Sequence, residues 1–114
     1  MLPQHREALA HAQARLDTLS LYPRRVRTDR VRVRVAPWFF RLPWLRRYHG
    51  YALIRTILLR SDDASDDLLT HELCHLWQLQ HRPVHMVVTY LTTRYRENPY
   101  EHEARRAVEL TRAG

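Results

Sequence analysis

Apolar positions along the chain follow two periods. Between Pro3 and Leu21 they recur every three or four residues, at Leu9, Ala12, Leu16 and Leu19, which predicts an amphipathic helix over residues 3–21. Pro3 suits a first helical turn, and Tyr22-Pro23-Arg24-Arg25 ends the pattern. The period then changes to two. Val31, Val33 and Val35 alternate with Arg30, Arg32 and Arg34, the pattern of a half-buried strand with a charged face, stopped by Pro37. Residues 51–60, YALIRTILLR, predict a second strand, apolar on both faces and therefore central in its sheet. Between the two strands, residues 38–50 are aromatic and interrupted by proline, and no regular element is predicted there. Trp38, Phe39, Phe40 and Trp44 are assigned to core or lid packing.

SDDASDD supplies turn and N-cap chemistry for a helix from about Asp66 to Gln80, with Leu68, Leu69, Leu73, Leu76 and Leu79 at helical spacing. His81-Arg82-Pro83 breaks it. Pro83 opens a third helix with Val84, Val87, Val88, Leu91 and Tyr95 on one face, although its valines and threonines also suit a strand. Glu97-Asn98-Pro99 caps a last helix. These elements predict one α+β domain over residues 1–114. It has a small, mostly antiparallel sheet (residues 30–60) packed on the 66–80 helix, with two or three further helices around it.

Composition narrows the class. Hydrophobic content of 45% excludes a disordered chain. A single cysteine, Cys74, excludes an intrachain disulfide framework and fits a reducing cytoplasm. The N-terminus is charged where a signal peptide needs an apolar core, and no apolar run is long enough to span a bilayer. A cytoplasmic protein is expected. The net charge is +7, and all nineteen basic residues are arginine. A coding bias towards arginine explains this better than a nucleic-acid or acidic membrane surface, because the arginines are scattered along the chain.

The candidate chemistry lies in HELCH, residues 71–75. Residues four apart on a helix lie nearly above one another, so His71 and His75 can hold one ion. Glu72 is offset by about 100° from His71 and can reach a water at that ion. Catalytic zinc usually takes three protein ligands and leaves a position open. Glu101, Glu103 and His102 in NPYEHEA are candidates for the third.

HELCH followed by NPYEHEA resembles the gluzincin branch of the zincin metallopeptidases. The likeness covers roughly residues 50–110, and is similar also to minimal gluzincins and bacterial zincin-like domains with HELxHxxQ and NPxExEA patterns. It implies a zincin-like fold with one Zn²⁺ per chain, held by His71, His75 and Glu101. In that family an acid stands four residues after the glutamate ligand and supports a histidine. Here that position is Arg105. Asp67 or a backbone carbonyl is a substitute, although Asp67 is better explained as a first-turn complement to the helix dipole.

The activity implied is peptide hydrolysis with Glu72 as general base and an extended substrate paired to an edge strand. Tyr95, Tyr100, His102 and Arg105 are candidates to stabilise the oxyanion. His81 and His85 are assigned to the surface, and Cys74 to the core. Two alternatives accompany the peptidase: a non-catalytic, zinc-stabilised interaction module, and a peptidase acting on nucleic-acid-bound proteins. Beyond a peptide or protein substrate, no partner is favoured.

Overall fold

The N-terminal helix α1, Pro3–Asp17, buries Leu9, Ala12 and Leu16, the predicted stripe. It ends four residues earlier than expected; Thr18 N–H donates to the Arg15 carbonyl and Leu19 N–H to that of Leu16, closing the last turn. The computed structural model describes residues 2–46, 48–53, 55–63 and 65–112.

Strand β1, Arg32–Val35, keeps the predicted alternation, with Val33 buried and Arg32 and Arg34 exposed. Residues 37–45 form two 3₁₀ turns, Pro37–Arg41 and Pro43–Leu45, each with proline in its first turn. Phe40 of this segment is buried, whereas Trp38 and Trp44 are 67% and 68% exposed, so neither tryptophan is core.

The predicted single strand over residues 51–60 is instead a hairpin. Strand β2, Gly50–Leu53, runs antiparallel to β3, Thr56–Leu59, while β1 pairs with β3 in parallel; the order is β1-β3-β2. The sheet is therefore mixed rather than mostly antiparallel. The apolar run conceals the reversal because β3 is covered on both faces. Ile57 and Leu59 enter the main core, and Leu58 packs with Ala36 and Phe40 on the other side.

Helix α2, Asp66–His81, sits against the sheet and α1. Ser65 caps it by accepting the Leu68 N–H, and Asp66 and Asp67 occupy its first turn. Leu69, Leu73, Cys74, Leu76 and Trp77 bury one side in the main core. Helix α3, Pro83–Thr92, is shorter than predicted, and Tyr95 falls outside it in a 3₁₀ turn, Tyr95–Glu97. Its predicted apolar stripe is largely exposed, Leu91 by 80%, while Met86 on another side is buried. Helix α4, Pro99–Thr111, begins at the buried Asn98, whose Oδ1 accepts the Tyr100 N–H at 2.9 Å. Ala104 and Ala107 pack its inner face into the main core. Among the described residues no helix is long and apolar enough to cross a membrane.

Candidate metal centre

Capping fixes where α2 and α4 begin, and burial of Leu69, Leu73 and Ala104 fixes how they face each other. His71 and His75 then stand one turn apart towards Glu101 in the first turn of α4. The two Nε2 atoms are 3.1 Å apart. Glu101 Oε1 lies 2.8 Å from His75 Nε2, and Oε2 lies 3.3 Å from His71 Nε2. Bonds of about 2.05 Å in a tetrahedral zinc site place ligand atoms about 3.3 Å apart, so these separations suit three vertices around one ion. Glu101 Oε2 is buried and faces His71 Nε2 from inside the cluster. The donor set, two imidazoles and a carboxylate, is one that zinc favours.

Hydrogen bonds also fix the tautomer of His75. Gln78 Nε2 donates to the Tyr100 carbonyl at 2.9 Å and to Glu103 Oε1 at 3.1 Å, which orients its amide. Gln78 Oε1 therefore faces His75 Nδ1, at 2.8 Å. That nitrogen carries a proton, and the Nε2 lone pair of the neutral ring is directed at the cluster. Tyr22 donates its hydroxyl to Glu103 Oε1 and ties the assembly to the segment after α1.

Glu103 thus supports Gln78 and lies outside the cluster, and His102 is exposed; Glu101 alone of the three predicted candidates joins the histidines. Asp67 does not reach His71. It pairs with Arg15 and Arg112, at 3.0 and 2.9 Å, as a first-turn acid does, and the polar partner on a cluster histidine is Gln78, on His75. Arg105 stacks over the Tyr95 ring, 5.7 Å from its centroid. Tyr100 bonds His85 through its hydroxyl. Cys74 is a fully buried core thiol, its pKa pushed up by burial. His81 is half-buried and stacks on Tyr22, closer packed than a surface residue.

Without an ion, charges compensate one another. Burial opposes protonation of His75, but the hydrogen bond to Glu101 and the Glu72 and Glu101 charges outweigh it and raise its pKa. Burial likewise pushes Glu101 up, but hydrogen bonds and charge from His71 and His75 hold it well below the carboxylate range. Glu72 is raised, chiefly by burial, against the lowering pull of the two histidines. Its side chain lies flat against Gly50 of β2. A Cβ there would stand 3.1 Å from Glu72 Cγ and 3.5 Å from Cδ, so the strand carries glycine where the carboxyl approaches.

Two cavities meet at Glu72, since Tyr48, Gly50, Glu72 and Tyr95 line both. One, of ≈ 290 Å³, is walled by apolar residues including Tyr51, Leu79, Met86, Val87 and Leu91. The other, of ≈ 390 Å³, is more polar, bordered by His71, Arg105 and Arg112. Tyr90, which the sequence reading did not single out, donates to Glu101 Oε1 at 3.1 Å. Burial first, then the Glu101 carboxylate, raises the pKa of Tyr90 and Tyr95, so both hydroxyls stay protonated as donors. Helical spacing carries the signal for Tyr90: it follows the buried Met86 by four residues, off the valine face.

No protein-family model, curated protein or solved structure matches the chain.

Proposed function

We propose that the protein is a zincin-like, zinc-dependent peptidase with His71, His75 and Glu101 as ligands and Glu72 as general base. The observation that carries this reading is the convergence of three metal-competent atoms beside a buried carboxyl that is not one of them. A zinc ion at that point would supply Lewis acidity and bring a water's pKa towards neutrality.

The chain's own residues supply the rest. Glu72 takes the proton from the attacking water and returns it to the departing amine. Its pKa is raised, mainly by burial, which strengthens it as a proton acceptor relative to an exposed carboxylate. Tyr95, whose hydroxyl stays protonated and whose ring lies on the walls of both cavities, would donate to the oxyanion. β2 lies at an edge of the sheet with Gly50 against Glu72, so an extended peptide added to that edge would pass the base. The apolar cavity beside Glu72 suits a large hydrophobic side chain of the substrate.

Metal analysis should find one zinc per chain, and Glu72→Gln should retain it while losing at least about a hundredfold in hydrolysis of peptide substrates. A protein without zinc affinity would overturn the reading. Zinc binding with no hydrolysis by the wild type would leave the ion a structural clamp between α2 and α4.

A further inference from the structure

The fold gathers arginines that are scattered in sequence. Arg6 of α1, Arg30 of the turn before β1, Arg32 and Arg34 of β1, and Arg55 of the β2–β3 turn line one open groove of ≈ 1080 Å³. All five are exposed, and none forms an ion pair among the described residues. Asp29 is the single carboxylate on the lining and pairs with none of them. The protein's other arginines are not all left so: Arg15 and Arg112 are matched to Asp66 and Asp67. A coding bias accounts for the number of arginines. It does not account for five uncompensated guanidinium groups converging from three segments, an arrangement that costs self-repulsion unless an anion offsets it.

We infer that this groove binds the phosphate backbone of a nucleic-acid duplex, independently of base sequence. Arg32 and Arg34 are two apart on an extended strand, about 6.6 Å along it, a row of forks that suits successive phosphates. No aromatic side chain lines the groove, which leaves nothing to stack on the bases of a single strand. The exposed tryptophans and the valine face of α3, which an acidic membrane would use, lie elsewhere. The groove shares no residue with the two cavities at Glu72, so it stands whether or not the zinc reading holds.

The test is fluorescence anisotropy with a short mixed-sequence DNA duplex over about 50–200 mM salt, comparing two variants of equal charge. One carries Arg6→Ala, Arg32→Ala and Arg34→Ala. The other carries Arg25→Ala, Arg82→Ala and Arg96→Ala, exposed positions outside the groove. The wild type should bind with a steep salt dependence. The groove variant should lose about tenfold or more in affinity, and its slope should become shallower by about 0.9 per phosphate-contacting arginine removed. The matched variant should lose markedly less. Arg34→Gln alone, which keeps bulk, should shift the slope by about 0.9. Equal losses in the two triple variants would reduce the effect to net charge and overturn the assignment. So would absence of duplex binding, or binding to phosphatidylserine vesicles in its place.

Discussion

Gln78 is the side chain on which the orientation of His75 depends. It is fully buried and spends its amide on Tyr100, Glu103 and His75. Gln78→Ala should therefore weaken zinc binding about ten- to a hundredfold, the usual effect of losing a partner to a ligand histidine. Competition against a chromogenic chelator reads this, and Glu101→Ala in the same assay should lose far more. Equal affinities in Gln78→Ala and wild type would mean that Tyr90, 3.5 Å from His75 Nδ1, suffices to hold the ring. The histidine pair was legible in the sequence because four-residue spacing is local. Glu101 needed a family resemblance as well, since spacing left Glu103 and His102 open. Gln78 stands three residues after His75 on the same helix, within the HELxHxxQ pattern, but the contacts with Tyr100 and Glu103 that orient its amide, and the tie from Tyr22, join distant segments that no periodicity reports.

Asn98 decides where the last helix starts, and so where Glu101 stands. Its Oδ1 caps α4 while its Nδ2 is buried without a partner. Asn98→Ala should cost about 1 kcal/mol of stability, measured by denaturant unfolding, and should weaken zinc binding through displacement of Glu101. A stability loss with unchanged zinc affinity would show that packing of Ala104 and Ala107 alone sets the helix position. This helix, its cap and α2 were readable because capping residues and apolar spacing agree on them. The β2–β3 reversal was not. Its turn lies within YALIRTILLR, without the Asn-Gly or Asp-Gly punctuation that marks most tight hairpins, and β3 is apolar on both faces. The solvent exposure of α3's valines was equally hidden, because an apolar stripe says which residues share a face and not what covers it.

At the scale of the molecule, the cluster should give the protein two opposite pH dependences according to whether metal is present. In the metal-free protein Glu101 has a lowered pKa, so its contribution is present above about 4.3, the unfolded value, and is lost as pH falls. His75 has a raised pKa, so its contribution is complete below about 6.5 and is lost as pH rises through the folded value. Glu72, a carboxyl raised by burial, also binds its proton more tightly folded than unfolded, and it too removes stability as pH rises above about 4.3. Between pH 6 and 8 the metal-free melting temperature should accordingly fall. With the proposed ligand set, zinc would need the same His75 Nε2 lone pair that the proton occupies, so its affinity and its stabilisation should rise over that interval. Thermal melts at pH 6, 7 and 8, in chelator and in equimolar zinc, should diverge with increasing pH. Parallel curves would mean that proton and metal do not compete for one nitrogen, and the ligand set would have to exclude His75.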